Sequence, residues 1–345
     1  MSKQIFFLFF TLSISVILYC QTVEGYWRGA VSRDGSIQIT ELLIEKNAGG
    51  LKALYSLPDL GLFEQSADLV FKTDTSFTLK IFMGVFECLL HEDIQEVTGV
   101  NNNWKPVGLK LHLKKMSTPP KSYTQTLVDV KAATGTTLKG TLFTPTRTGK
   151  RPLVIIAHGA ENPTRTNWVY TSYAYFLAEQ GFAVYVFDQR AHGLSGGSTE
   201  ATLEDHAADI ISIAAFFSKA SFIDQRNISI LGESRGGWAA VLAAARSKIF
   251  SSIVLLAGPA KSPIDLEPDV VFATLKKDGY SASAIDSAMR YTDLYFKTVK
   301  DSGLYTRLTQ QYEVIKNRPW AHVLQTPERE GLLWWKKQLE HTGNA

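Results

Sequence analysis

The chain has 345 residues, of which 45% are hydrophobic and 20% are charged, and its formal net charge is +3. These values are ordinary for a globular protein with a sizeable core, and a chain of this length accommodates about two domains. The net charge is small, and no block rich in lysine or arginine occurs. The composition therefore argues against a nucleic-acid partner.

The N-terminus has the pattern of a secretory signal peptide. Lys3 precedes the apolar run Ile5–Phe10, and apolar character continues to Leu18. One basic residue, an apolar core too short to span a bilayer comfortably, and then a small residue at Cys20 are typical of such a peptide. We therefore expect residues 1–20 to be removed and the protein to be secreted or periplasmic.

A lipoprotein anchored through an acylated Cys20 is the alternative, and the bulky Tyr19 before that cysteine argues against it. In either case, membrane contact is expected only through this N-terminal segment. If residues 1–20 are removed, Cys88 is the one cysteine left, and a single cysteine cannot form an internal disulfide. Cys88 lies in an apolar segment, which indicates a buried, unreactive thiol.

Residues 21–118 are predicted to form a β-rich N-terminal domain. Short segments of alternating apolar and polar residues follow one another, separated by turn formers such as Asp34-Gly35 and Gly49-Gly50. This pattern is typical of an antiparallel sandwich or a small barrel. The segment contains no acid pair, metal-spaced histidines or phosphate loop, so we interpret it as a structural domain or a binding module.

After a linker at Ser117-Thr118-Pro119-Pro120, the pattern changes to that of an α/β domain over residues 119–260. An antiparallel pair of strands is predicted first. Nearly continuous apolar runs then alternate with helix-like stretches, which predicts a parallel sheet covered on both faces. The runs are Leu153–Ala157, Phe182–Phe187, Ile228–Leu231 and Ile253–Leu256. Residues 261–345 are predicted to form a helical, cap-like segment.

The pentapeptide Gly232-Glu233-Ser234-Arg235-Gly236 carries most of the chemical information. It follows the apolar run Ile228–Leu231 and precedes a helix-like stretch. G-x-S-x-G between a strand and a helix is the nucleophile elbow, in which a strained tight turn exposes a serine hydroxyl. The flanking glycines permit the turn, and the positive end of the helix faces the developing negative charge. We therefore predict that Ser234 is the nucleophile of an acyl transfer.

His158-Gly159-Ala160 follows the first parallel strand and is predicted to complete an oxyanion hole. The backbone amide of Ala160 is one expected donor, and the amide of Arg235, directly after the nucleophile, is the other. We interpret His158 as a buttress of this loop rather than as a base.

Two further histidines are of residue types that could serve as a catalytic base or as a metal ligand. His192 lies in the loop Asp188–Gly197 and is a tempting base, but nothing in the sequence places it against Ser234. His206 lies beside acidic residues on a predicted helix, and a solvated helix face explains this cluster better than a metal site does.

Together these motifs resemble the α/β-hydrolase superfamily, over about residue 122 to about residue 260. The resemblance rests on His158-Gly159, on the loop Asp188-x-Arg190-x-x-Gly193-x-Ser195, and on the pentapeptide around Ser234. Within the superfamily, the chain is similar to secreted bacterial serine esterases of the dienelactone-hydrolase and peptidase-like branch, some of which carry a β-rich N-terminal domain. The resemblance implies a doubly wound parallel sheet with a helical cap. Ala191 stands where glycine is more usual.

In this superfamily the triad follows the order Ser, then Asp or Glu, then His. The acid usually follows the second strand after the elbow, and the histidine follows the last strand. After Ile253–Leu256 the chain is helix-like, and His322 and His341 have no strand before them, so neither is assigned as the base. The triad acid and histidine stay unidentified. We expect the chain to stop before the last strands of the fold and to leave Ile253–Leu256 as an exposed apolar edge.

The sequence thus predicts a serine-nucleophile hydrolase of carboxylic esters or related acyl compounds, with a small-molecule substrate. It implies no metal or organic cofactor. One alternative is a truncated or degenerate hydrolase that binds an acyl ligand without turnover. The other is a protein that binds glycan or lipid through its N-terminal β domain.

Overall fold

The computed structural model describes residues 23–103 and 107–342. The predicted signal peptide, residues 1–20, and the alternative anchor at Cys20 lie outside the described residues. None of the described helices is long and apolar enough to cross a membrane.

The chain divides into two compact units. The first comprises the residues up to Ser122 together with Trp168–Phe176, and the second comprises Tyr123–Asn167 and the residues from Leu177 onward.

Eight antiparallel strands close into a barrel in the described part of the first unit, because the first strand pairs with both the second and the last. Trp27, Phe77 and Phe86 are fully buried inside it, so the interior is a packed core. A barrel is one of the two architectures that the sequence predicted. The strands are β1 (Gly25–Arg33), β2 (Ser36–Asn47), β3 (Gly50–Leu57), β4 (Leu62–Phe71), β5 (Ser76–Ile81), β6 (Gly84–His91), β7 (Glu96–Asn101) and β8 (Leu109–Met116), with a short 3-10 helix at Pro58–Leu60.

Cys88 lies on β6 with its side chain buried in the barrel core. Burial, assisted by the nearby charge of Glu87, raises the pKa of the Cys88 thiol to about 12. A thiol with such a pKa is not a nucleophile at neutral pH, in agreement with the inert role predicted for it.

The second unit contains a mixed sheet of six described strands in the order β14-β13-β11-β12-β10-β9. Strands β11 to β14 are parallel, whereas β9 and β10 form an antiparallel pair, and β10 is antiparallel to β12. The predicted doubly wound α/β sheet is therefore confirmed. The strands are β9 (Tyr123–Lys131), β10 (Thr137–Pro145), β11 (Arg151–Ala157), β12 (Ala183–Phe187), β13 (Ile223–Glu233) and β14 (Ser252–Leu256).

Helices follow the parallel strands and then fill the C-terminal part of the unit. Apolar side chains of α2 and α3 share one core with the sheet, and the later helices have a core of their own. Helix α1 (Trp168–Glu179) is divided between the units, because Trp168–Phe176 belongs to the first. The helices of the second unit are α2 (Leu203–Phe217), α3 (Arg235–Arg246), α4 (Pro263–Lys277), α5 (Ala282–Lys300), α6 (Tyr305–Ile315) and α7 (Arg329–Thr342), with 3-10 helices at Ser302–Leu304 and Ala321–Val323.

Strand β14 forms one edge of this sheet. Among the described strands it pairs with β13 alone, and its residues Val254 and Leu255 are 50% and 41% exposed. The predicted exposed apolar edge is therefore present in the structure.

Candidate active site

Ser234 occupies the sharp turn between β13 and α3. Its backbone has φ +47° and ψ −121°, a region that residues with a side chain rarely adopt. The turn is fixed on both sides: the Ser234 amide donates to the Leu256 carbonyl at 2.9 Å, and the Gly237 amide donates to the Ser234 carbonyl at 2.8 Å. The Ser234 side chain does not cap α3. The observed backbone strain is that of a nucleophile elbow.

The glycines of the pentapeptide are required by close backbone approach. A Cβ atom on Gly236 would overlap the Ala157 carbonyl oxygen and lie 2.7 Å from the His158 carbonyl oxygen. A Cβ atom on Gly232 would lie 2.8 Å from the Gly236 carbonyl oxygen. The first turn of α3 therefore packs directly on the backbone at the end of β11, which no larger residue permits.

The loop after β11 lies beside the serine. A Cβ atom on Gly159 would be only 3.3 Å from the Ser234 Cβ atom, so the loop backbone passes next to the elbow. Gly159 is buried, whereas the next residue, Ala160, is exposed. The structure thus brings together the elbow and the loop that carries the Ala160 amide, and Arg235 follows Ser234 in the chain. The role of the two amides as oxyanion donors stays a prediction.

The Gln189 side chain links the two segments that carry these amides. Its Nε2 atom donates to the His158 carbonyl at 3.2 Å, and its Oε1 atom accepts from the Arg235 guanidinium at 3.3 Å. A side chain that bridges both segments limits their relative movement, which favours preorganised donors.

The loop after β12 is held by two buried carboxylates. Asp188 pairs with the Arg165 guanidinium and accepts from the Leu194 amide at 2.8 Å. Arg190 donates to both carboxylate oxygens of Asp209 on α2, at 2.7 and 2.5 Å. Ion pairs therefore hold both Asp188 and Arg190 in place, and Asp188 also contacts the backbone of its own loop.

The second unit resembles a known protein family in sequence. Residues 148–319 match the family model described as serine aminopeptidase, S33. This part of the chain is an α/β hydrolase. The match spans the loop after β11, the elbow and part of the helical region beyond it, and it indicates a hydrolase.

The similar proteins align with only part of this chain, and the alignments include only part of their own lengths. An Escherichia coli protein described as an uncharacterized 31.7 kDa protein in the traX-finO intergenic region is 32% identical over 129 residues, which are 37% of this chain and 44% of that protein. The α/β hydrolase GrgF from Penicillium sp. sh18 is 21% identical, with a TM-score of 0.38 and coverage of 45% and 53%. The Pyrococcus furiosus esterase Pf2001 is 22% identical, with a TM-score of 0.39 and coverage of 47% and 63%. The chain thus spans less than two thirds of each.

Ala191, the residue that departs from glycine in the hydrolase loop, has φ +57°. The left-handed region costs a non-glycine residue about 1–2 kcal/mol, whereas glycine loses about 0.5–1 kcal/mol more backbone entropy on folding. We expect Ala191→Gly to raise the free energy of unfolding by about 0.5–1 kcal/mol in urea titrations. Ala215→Gly, at an exposed position of α2, is the control and should lower it by about 1 kcal/mol. A loss of the same size in both variants would contradict this account.

His158 of the hydrolase is fully buried and packs edge-on against Phe187, with ring centroids 5.1 Å apart. Burial lowers the pKa of His158 to about 3, and the positive charges of His206 and His192 act in the same direction. The imidazole is therefore neutral at pH 7. Its burial against an aromatic ring agrees with a buttressing role.

The neutral His158 makes stability depend on pH. An unfolded histidine has a pKa of about 6.5, so below that pH the unfolded chain binds a proton that the native state excludes. The free energy of unfolding should fall by up to about 1.4 kcal/mol per pH unit for this residue, as the pH drops from about 6.5 towards 3. Above pH 6.5 the residue contributes no pH dependence. Urea titrations from pH 8 to pH 4 measure the slope.

The variant His158→Leu should lose this part of the slope. Phe187→Leu trims the ring that His158 contacts but removes no titratable group, so it is the matched control and should keep the slope. Equal slopes in the wild type and His158→Leu would show that His158 is not the residue responsible.

The structure corrects the interpretation of His206. It does not lie on a solvated helix face, because the side of α2 that carries it faces a cavity that α3, α4 and α7 also line. Burial lowers the pKa of His206 to about 4, with the charges of Arg235 and Arg190 acting in the same direction. The sequence contains one signal of this position: Leu203 and Ile210 stand three residues before and four residues after His206, a spacing that puts all three on one side of a helix.

Two further histidines of the second unit contact backbone carbonyl oxygens. His192 is half-buried and its Nδ1 atom lies 2.7 Å from the Arg190 carbonyl oxygen. His322 is exposed and its Nδ1 atom lies 2.7 Å from the Pro319 carbonyl oxygen. The side chain of His341 lies outside the described residues. In the part of the chain that the structure describes, no group of three or more His, Cys, Asp or Glu side chains is placed to hold a metal ion.

Proposed function

We propose that this protein is a hydrolase that uses Ser234 as a nucleophile on carboxylic esters or related acyl compounds. The observation that carries the proposal is the strained backbone of Ser234, which presents its side chain at the N-terminal end of α3 and beside the loop at Gly159. The membership of residues 148–319 in a hydrolase family supports it.

In the proposed reaction, the Ser234 Oγ atom attacks the ester carbonyl carbon, and negative charge develops on the carbonyl oxygen. The amides of Ala160 and Arg235 donate to that oxygen, and the positive end of the α3 dipole acts in the same direction. The C–O bond then breaks, and the alcohol leaves with the proton of the serine hydroxyl. Water hydrolyses the acyl-enzyme, which releases the acid and regenerates Ser234.

Binding of an acyl ligand without turnover is the second candidate. It is favoured because the hydrogen-bond contacts of His192 and His322, two described histidines, are to backbone carbonyl oxygens and not to the Ser234 hydroxyl. Without triad partners, an oxyanion hole and binding alone leave a residual acceleration of about 10³–10⁴ over water. The two candidates therefore differ in whether Ser234 forms an acyl-enzyme at an appreciable rate.

Covalent labelling tests the proposal. A fluorophosphonate should add one equivalent to the wild-type protein by intact mass, and p-nitrophenyl acetate should give a burst of p-nitrophenol. Both signals should disappear in Ser234→Ala and persist in Ser218→Ala, a control serine at the end of α2. Equal labelling of Ser234→Ala and the wild type would refute the assignment. A burst that is lost in Ser234→Ala would argue against the second candidate, whereas equally slow release by the wild type and Ser234→Ala would favour it.

A further inference from the structure

A cavity of about 130 Å³, entirely within the second unit, is lined by Arg235, the residue that directly follows the nucleophile. Two of its lining residues, Arg235 and Trp238, belong to the first turns of α3, the helix that begins directly after Ser234. Trp238 is four residues from Ser234, about 6 Å along the helix axis. A group bound in the cavity would therefore lie close to an ester carbonyl at Ser234.

Three of the residues that line the cavity are tryptophans, and neighbouring groups hold their rings in place. The Trp238 indole Nε1 atom donates to the Lys261 carbonyl at 2.8 Å. Trp334 and Trp335 pack edge to face at 5.0 Å, and Trp335 packs in the same way on Phe296 at 5.1 Å. Rings held by neighbours give the cavity a defined shape, and a bound ring can pair with them edge to face or offset-stacked, which stabilises it beyond the area that it buries.

The polar side chains of the wall are already engaged by the protein. Arg235 donates to Gln189, and Glu267 accepts from the Gln325 amide at 2.8 Å. The pKa of His206 is lowered to about 4 by burial first and by Arg235 and Arg190 second, so its ring is neutral at pH 7. The cavity therefore offers ring faces and a neutral imidazole, which suit an uncharged apolar group better than an ion.

The volume sets the size of that group. A dry apolar cavity of about 150 Å³ holds one benzene molecule, and this cavity is of similar size. We propose that it binds a single uncharged aromatic ring of the substrate, next to the ester group attacked by Ser234. The inference rests on the proposed function, and it adds the substrate class: esters with one ring in either the acyl or the alcohol part.

Binding without catalysis tests the cavity directly. The probe is 4-fluorophenylacetamide, followed by fluorine NMR on the full Ser234→Ala chain, with 8-fluorooctanamide as an aliphatic comparison. The aromatic probe should bind saturably and at least about tenfold more tightly than the aliphatic one. Ala201→Phe places a ring in the cavity and should weaken the aromatic probe at least about tenfold. Ala215→Phe, the same change at an exposed position of α2, should leave it unchanged. No saturable binding, or equal binding to both variants, would overturn the inference.

A second variant covers the case in which Ala201→Phe does not fold. Leu266 lines the cavity, so Leu266→Ala enlarges it and should shift the preference from phenylacetamide to 1-naphthylacetamide. An unchanged preference would count against the cavity as the binding site.

Ester hydrolysis separates this inference from the proposed function. Methyl phenylacetate carries the ring in the acyl part, and benzyl acetate carries it in the alcohol part. The ester whose kcat/KM falls more in Ala201→Phe therefore shows which part of the substrate occupies the cavity. If the ring probe binds but neither ester is hydrolysed, the proposed function fails and the cavity assignment stands. If both esters are hydrolysed equally well by Ala201→Phe and Ala215→Phe, the cavity assignment fails and the proposed function stands.

Discussion

Gly236→Ala is expected to destabilise the hydrolase unit by about 3 kcal/mol or more. The added methyl group would overlap the Ala157 carbonyl oxygen and lie 2.6 Å from the Ala157 carbonyl carbon and 2.7 Å from the His158 carbonyl oxygen. All of these atoms belong to the backbone, so no side chain can rotate away to make room. Helix α3 or the end of β11 must move instead, and either movement disturbs the elbow.

Hydrogen exchange measures this effect within one unit of a two-unit protein. Amide protection in peptides from β11 and β13 should fall strongly in Gly236→Ala. The control is Gly237→Ala on the same helix, where the new methyl group meets the Gly258 Cα atom at 3.1 Å and otherwise has ordinary contacts. The better helix propensity of alanine offsets that contact, so its stability should stay within about 1 kcal/mol of the wild type. Equal protection in the two variants would disprove the steric argument.

Asp209→Ala is expected to cost about 3–5 kcal/mol, because it leaves the buried Arg190 guanidinium without its main counter-charge. Asp209 is 1% exposed and Arg190 is 7% exposed. The remaining partners are Asp205, at 3.5 Å, and the Thr134 hydroxyl, at 2.8 Å. A hydroxyl and one longer ion pair do not replace a bidentate carboxylate.

The pKa shifts of Asp209 and Arg190 show that burial disfavours the charged form of the Asp209 carboxyl. Burial raises the pKa of the Asp209 carboxyl, although the hydrogen bonds to Arg190 act in the opposite direction. The hydrogen bond to Asp209 raises the pKa of Arg190. The carboxylate thus loses more from desolvation than it gains from its partner. Removing both charges together should therefore be less harmful than removing one.

Urea titrations of three variants test this prediction. Asp209→Ala should be markedly less stable than the wild type, and the double variant Arg190→Met/Asp209→Leu should recover much of the loss. Asp293→Ala removes an exposed carboxylate that pairs with Lys297 at 2.7 Å, and it should cost no more than about 0.5 kcal/mol. A double variant less stable than Asp209→Ala would show that the pair itself is the stabilising element.

Short sequence patterns correctly predicted the features that are determined by neighbouring residues in the chain. The apolar run Leu153–Ala157 became the buried strand β11, and G-x-S-x-G placed Ser234 on the turn before α3. Both follow from periodicity and from the backbone freedom of glycine.

Features that depend on distant parts of the chain could not be predicted in this way. The first unit is a barrel because β1 pairs with β8, a contact between segments far apart in sequence. By residue type, His206 and Asp209 are typical of a solvated helix face. In the structure, however, His206 lines a cavity that later helices also line, and Asp209 pairs with Arg190. The left-handed backbone of Ala191 likewise depends on its loop rather than on its residue type.

The strained turn at Ser234 also affects which residue selection for stability would favour at this position. A non-glycine residue at φ +47° costs about 1–3 kcal/mol, and glycine at the same place would relieve much of it. Selection for folding alone would thus favour glycine at position 234. A lineage of this fold that no longer needed a hydroxyl at the turn would therefore gain stability by replacing the serine with glycine.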